Sequence, residues 1–180
     1  TEDSTESPIS PYGCAKLSIE KYLHFYNKAY GLKFTYLRYS NVYGPRQSSK
    51  GEAGVVAIFF DNMLANKNPV IFGGTQSRDF VFAEDVVKAN FLVLNDNKSN
   101  VYNVCTGIET DIISLFEKIN ELFKNRFKAE FKERKKGEQL RSCLRHDKIK
   151  SNLNWKPNIN LNEGLERTYR WFLDNRELGR

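Results

Sequence analysis

Three cysteines, two histidines and a single methionine are spread through 180 residues. Cys14, Cys105 and Cys143 are odd in number and far apart, which excludes a disulfide framework and a zinc ribbon and predicts reduced, mostly buried thiols. His24 and His146 have no ligand-type neighbours in sequence, so they are expected to pack or to face water. No apolar stretch approaches the ~20 residues a membrane span needs. The opening residues, Thr1-Glu2-Asp3-Ser4-Thr5-Glu6, are acidic where a secretory leader is basic and then apolar, so a cytoplasmic protein is expected. There is no Gly-x-Gly-x-x-Gly or comparable glycine-rich strand-to-helix turn, and no internal repeat or low-complexity tract.

An apolar share of 40% and an aromatic share of 13% are enough for one good core within ordinary domain size. The formal net charge of +6 favours anionic partners without choosing among them. The basic residues concentrate at 124–128 and 132–136, interrupted by Glu130 and Glu133, a pattern that suits a solvated surface.

One stretch carries more information. In Ser10-Pro11-Tyr12-Gly13-Cys14-Ala15-Lys16, Ser10 suits an N-cap and Pro11 the first helical position, where its missing N–H costs nothing. Tyr12 and Lys16 are then one turn apart on one face. There an ammonium can stabilise a phenolate and draw a tyrosine pKa of about 10 towards neutrality, making Tyr12 a candidate general acid/base. Apolar residues at Ala15, Ile19, Tyr22, Leu23, Tyr26, Ala29 and Tyr30 predict a helix with one buried face, ending at Gly31. Residues 33–39 read as a strand and 40–46 as a loop. A helix running straight into a strand suggests an α/β unit with a parallel sheet, in which ligands sit beyond the carboxyl ends of strands, where Asn41 falls. Downstream, the pattern predicts a helix over 53–65, strands at 70–72 and 80–82, and a helix over 86–94 with Glu84 and Asp85 in its first turn. A buried strand follows at 101–104, then a helix capped by Thr110, a strand at 127–131, and a last helix capped by Asn162 with Leu165, Tyr169 and Phe172 facing inward.

The segment Pro8-Ile9-Ser10-Pro11-Tyr12-Gly13-Cys14-Ala15-Lys16 resembles the Pro-x-x-Pro-Tyr-x-x-Ser/Ala-Lys signature of the extended short-chain dehydrogenase/reductases, in the NAD-dependent epimerase/dehydratase branch. Four further segments are similar to that family in the same order. They are 36–47, with Arg38, Asn41, Tyr43, Gly44, Pro45 and Arg46; 73–86, with Gln76, Arg78, Asp79, Phe80 and Val81; the strand end Tyr102-Asn103-Val104; and the closing run from Gly137-Glu138 through Leu153-Asn154-Trp155-Lys156-Pro157 to Gly164-Leu165 and Trp171-Phe172. Arg145 stands where the family has aspartate, and Asn154 where it has glycine.

The resemblance implies an α/β fold: the carboxyl-terminal part of a Rossmann-like parallel sheet plus a small α+β substrate-binding domain. Residues 1–52 would end the NAD-binding domain and 53–180 form mainly the substrate-binding domain, with 80–106 returning to the sheet. It implies a nucleotide-sugar 4-epimerase of the UDP-glucose/UDP-galactose type, working with NAD and without metal through a transient 4-keto sugar. Tyr12 would be the acid/base, and Lys16 would bind the nicotinamide ribose and lower the Tyr12 pKa. Tyr39 and Ser40 would lie along the nicotinamide. Asn41, Arg78 and Arg141 would hold the diphosphate, and Val55, Val70 and Phe72 would flank the base. For Arg78 a plain ion pair with Asp79 or Asp85, and for Arg141 a solvated face, are the alternative readings; Asp79 is expected to cap or pair rather than catalyse. Without a glycine-rich turn, the 180 residues are expected to be the carboxyl-terminal part of a longer protein, inactive alone, binding NAD weakly and prone to self-association as a homodimer or otherwise. A nucleotide-sugar dehydratase or decarboxylase, and more remotely an epimerase-like RNA-binding protein, are the competing expectations.

Overall fold

Ser10 opens the first helix, α1 (Pro11–Tyr30). Its Oγ accepts from the Gly13 N–H at 3.1 Å, and Gly31, left-handed at φ 70°, closes the helix by donating to Asn27 O. The computed structural model describes residues 1–51, 53–96, 98–134 and 137–175. After α1 come β1 (Thr35–Tyr39), β2 (Asn41–Tyr43), α2 (Val55–Leu64), β3 (Val70–Phe72), β4 (Ser77–Phe82), α3 (Ala83–Leu94) and β5 (Asn100–Val104). The chain continues through β6 (Glu109–Asp111), α4 (Ile112–Leu122), β7 (Glu130–Lys132), β8 (Arg141–Ser142), α5 (Asp147–Leu153) and α6 (Leu161–Asp174).

The expected α/β class with parallel pairing is the one observed. β1 runs parallel to β5, β2 and β8 to β4, and β3 to β7, while β6 lies antiparallel to β4. Alternate side chains of β1 address opposite faces. Arg38 meets α1 through Glu20, whereas the Tyr39 hydroxyl donates to Asn90 on α3. Two apolar clusters fill the interior. One gathers Leu37, Val42, Val81, Val86 and Tyr102 around β1, β5 and α3, and takes in Ile149 and Trp155 from beyond. The other packs Tyr43, Phe59, Phe60, Ile71, Phe116 and Leu165 between α2, α4 and α6. No helix is long and apolar enough to cross a membrane, among the described residues.

Several local expectations are corrected. The α1 face does not go inside: Tyr22 is 66% exposed and Tyr30 73%, and the buried residue of the helix is Glu20. The two-stranded ladder of β1 and β5 receives α1 through polar groups, the Arg38–Glu20 pair and the Tyr36 hydroxyl, so the aromatic side chains point away from it. Cys14, on that helix, is exposed rather than buried. Residues 41–43 form β2 instead of loop, because Val42 and Tyr43 pair with Val81 and Phe82. Thr110 is drawn into β6 opposite Arg78, and Asp111 caps α4 instead, its carboxylate accepting from the Ser114 N–H at 2.8 Å. The last helix is capped by Asn160; Asn162 accepts from the Lys118 ammonium instead. Of the basic run, Lys135 and Lys136 lie outside the described residues.

Candidate active site

The N-terminal turns of α1 present Tyr12 and Lys16 together. The Lys16 ammonium lies 5.3 Å from the centre of the Tyr12 ring, within cation–π range, and Tyr12 is 62% exposed. From β1, the Tyr36 hydroxyl donates to the main-chain oxygen of Lys16 at 3.3 Å. Burial raises the Tyr36 pKa, with the negative charge of Glu20 adding to the effect, Arg38 opposing it, and Tyr12 adding again. Two side chains later on the same pleat, Arg38 grips both oxygens of Glu20, Nε to Oε1 at 2.7 Å and Nη2 to Oε2 at 2.6 Å. β1 therefore fixes the height of α1.

β1 delivers Ser40 and Asn41 at its carboxyl end. The Tyr39 side chain is turned to α3, its hydroxyl donating to Asn90 Oδ1 at 3.0 Å. The Ser40 hydroxyl donates to Asp79 Oδ1 at 3.2 Å. Asp79 is fully buried and is a junction: it also accepts from the Thr106 N–H and hydroxyl, at 2.9 and 2.7 Å, and from the Gly107 N–H at 2.8 Å. The ends of β1 and β5 are thus tied to β4 by a carboxylate satisfied with neutral donors. It caps, as the sequence suggests.

Asn41 lies opposite Phe80, and Arg78 is two residues before Phe80, so the register puts Asn41 and Arg78 on one face of the β2–β4 ladder. Arg78 is mostly buried and its Nη2 meets Glu138 Oε1 at 3.3 Å, pairing with neither Asp79 nor Asp85. Arg141 lies opposite Ser77, hence on the other face, where it is exposed and bonded to Glu109 at 2.7 Å. The expected trio does not converge. Arg134, which the sequence did not single out, shares Glu138 with Arg78: its Nη1 donates to the Glu138 main-chain oxygen at 3.2 Å, and its Cβ would lie 3.1 Å from a Cβ on Gly73. The signal for it was the Gly73-Gly74 pair, both at positive φ. Buried Gln76 accepts from the Gly74 N–H at 2.7 Å and donates to Phe72 O, folding the chain back towards Glu138.

Val70 and Phe72 share the half-buried face of β3, with Ile71 turned into the core, and Val55 begins α2 against the same cluster. A cleft of about 170 Å³, lined by Phe80, Thr106, Ile108, Thr110 and residues 157–161, contains none of the expected catalytic, cofactor or substrate residues. His146 packs edge-on to Trp155 with its Nδ1 4.0 Å from Cys105 Sγ. Burial, with Asp79 close by, pushes the Cys105 thiol up, which makes it a packing group rather than a nucleophile. No group of three His, Cys, Asp or Glu side chains could hold a metal, among the described residues.

A profile of the NAD dependent epimerase/dehydratase family matches residues 1–105. A putative UDP-glucose 4-epimerase of Methanocaldococcus jannaschii is 46% identical over 97% of this chain and 57% of its own length. A UDP-glucose 4-epimerase of Mycolicibacterium smegmatis is 37% identical over 96% of the chain and 56% of its own. The crystal structure of UDP-glucose 4-epimerase from Thermotoga maritima with UDP-glucose superposes with a TM-score of 0.92 at 45% identity, covering 95% of this chain and 56% of that one. The chain spans a little over half the length of the relatives it matches.

Proposed function

Since the chain belongs to the NAD dependent epimerase/dehydratase family, we propose that the protein it forms part of inverts C4 of a nucleotide-sugar, of the UDP-glucose/UDP-galactose type. The observation that carries the reading is the coupling of two sites by one strand. Tyr36 and Arg38 of β1 seat the helix bearing Tyr12 and Lys16, and β1 continues directly into Asn41, which shares a face with Arg78.

Tyr12, as phenolate, takes the proton of the C4 hydroxyl and later returns it to the 4-keto sugar. The Lys16 ammonium is already beside the ring, 5.3 Å from its centre. NAD, when bound, supplies the oxidant that accepts hydride from C4 and gives it back. The residues present suit its nicotinamide end: Lys16 can donate to ribose hydroxyls and the 39–40 main chain can lie along the ring, while no glycine-rich turn for its pyrophosphate occurs in the 180 residues. Asn41 and Arg78, with Arg134 rather than Arg141 as the second guanidinium, hold the diphosphate; Val55, Val70 and Phe72 flank the base. Anchoring at the diphosphate leaves the sugar free to present either face of its ketone, which inversion requires. Residues 1–52 with 80–106 serve the redox side, and most of 53–180 the nucleotide side.

Titration of UDP-glucose, UDP-N-acetylglucosamine and dTDP-glucose against the full-length protein, with product analysis, tests this. Interconversion of the C4 epimers is expected, falling at least ~100-fold in Tyr12→Phe. Accumulation of a 4-keto-6-deoxy sugar would make the enzyme a dehydratase. The 180 residues alone should show no turnover.

A further inference from the structure

Tyr12, Lys16 and Glu20 follow one another at four-residue intervals and so form a single ridge on α1. Lys16 and Glu20 are placed to make the ion pair that helices commonly form between residues one turn apart. They do not make it. The Lys16 ammonium is over the Tyr12 ring, and both Glu20 oxygens are held by Arg38 in a two-pronged pair whose side chains are only 22% and 7% exposed.

Charge around the ridge is matched group by group. The N-terminal segment contributes Glu6, which bonds Lys21 at 2.5 Å and Arg38 at 3.1 Å, and the Glu2 main-chain oxygen, which accepts from Arg38 Nη1 at 3.3 Å. The Glu2 carboxylate is engaged elsewhere, on the Asn103 N–H. β1 contributes Tyr36 and Arg38, and α1 contributes Tyr12, Lys16, Glu20 and Lys21. Two carboxylates, Glu6 and Glu20, meet two cations, Arg38 and Lys21. Lys16 is left to the phenol.

We infer that Arg38 is a positioning residue for the Tyr12–Lys16 pair: by occupying both oxygens of Glu20 it keeps that carboxylate from capturing the Lys16 ammonium. The inference rests on the reading of Tyr12 as the acid/base. A guanidinium is suited to this because its planar fork engages both carboxylate oxygens at once, which an ammonium cannot do. With Arg38 gone, Glu20 would pair with Lys16, and the phenolate would lose its cation and gain a negative neighbour. Both effects disfavour ionisation of Tyr12.

The test compares Arg38→Gln, Glu20→Gln/Arg38→Gln and Arg38→Lys in the full-length protein by two readouts: the pH profile of kcat, and the titration of Tyr12 followed by NMR of [13Cζ]tyrosine, with Tyr12→Phe for assignment. Arg38→Gln should move the acidic limb and the Tyr12 titration up by roughly half to one pH unit. The double variant, which lacks the competing carboxylate as well as the clamp, should return both to the wild-type position. Arg38→Lys should fall between and carries the test if Arg38→Gln does not fold. An unmoved titration in Arg38→Gln, or in Arg38→Lys where that stands in for it, overturns the inference. So does a double variant displaced as far as the single one, because loss of packing at Arg38 cannot be repaired by also removing Glu20. Absence of nucleotide-sugar turnover in the wild type would sink the epimerase reading, and the NMR titration would still decide the role of Arg38.

Discussion

Gly164 stands in the first turn of α6, a position where alanine is ordinarily the better helix former by about 1 kcal/mol. Here a Cβ would lie 2.1 Å from the Tyr43 hydroxyl oxygen and 2.9 Å from the Phe82 ring. Tyr43 cannot withdraw, because its hydroxyl donates to Leu161 O and its ring packs edge-on to Phe80 and Phe82. Gly164→Ala should therefore destabilise the fold by roughly 1–3 kcal/mol, against its own helix propensity, as read by denaturant unfolding. The Gly-Leu pair was visible in the sequence as a family-like pattern, but the reason for it was not, since it depends on a ring more than a hundred positions away. Asn154 is a contrasting case. It replaces the glycine of the resembling motif and still adopts the left-handed conformation, φ 54°, that ends α5, because asparagine is the side chain that tolerates it best. Arg141 and Arg134 show the limit of motif reading: which arginine shares Glu138 with Arg78 is set by the pleat parity of β8 and by the path from β7 to Glu138, neither of which a linear pattern encodes.

At the scale of elements, the helix caps offer a test with a definite pH dependence. The Asp111 carboxylate accepts from both the hydroxyl and the N–H of Ser114 at the start of α4, and the hydroxyl bond first of all holds its pKa below the usual carboxylate value. A group whose pKa is lower in the folded than in the unfolded chain stabilises fully above its unfolded value, about 4, and loses that contribution as pH falls through the folded one. Asp111→Ala should cost about 1 kcal/mol at pH 7 and progressively less below pH 4, as measured by urea midpoints across that range. Five of the six helices, and β1, β3, β4, β5 and β7, were legible, since periodicity and turn residues report local structure directly; α5, β6 and β8 were not read. Boundaries slipped: Asp111, the last residue of β6, caps α4 in place of Thr110, Asn160 caps α6 in place of Asn162, and β7 is Glu130–Lys132 rather than 127–131. β2 was missed for a different reason, because three residues become a strand only when β4 is beside them.

Seen as a whole molecule, the chain carries an aromatic ladder on its outside. Phe25, Tyr26 and Tyr30 cluster along α1 in edge-on and tilted contacts with ring centres 5.4–6.2 Å apart, and all three are exposed. On the opposite side of β1, Phe91 and Leu94 of α3 are exposed as well. Apolar surface of this extent favours association, and we propose that the α1 face is where copies meet. Analytical ultracentrifugation should show a concentration-dependent oligomer that weakens at least tenfold in Tyr26→Ser/Tyr30→Ser and responds little to salt, in contrast to an ionic contact. The periodic apolar pattern of α1 was correct as a pattern, but periodicity cannot say whether a stripe is covered by its own chain. The buried junction at Asp79 bears on how such proteins can be recombined. Its carboxylate belongs to β4, yet it grips the ends of β1 and β5, so a chimera joined anywhere between residues 41 and 78 separates the aspartate from the Ser40 it grew up with. Exchange of nucleotide specificity between relatives should succeed only when the donor's Asp79 and the acceptor's Ser40 are already compatible, which makes one carboxyl group the gatekeeper of modular inheritance.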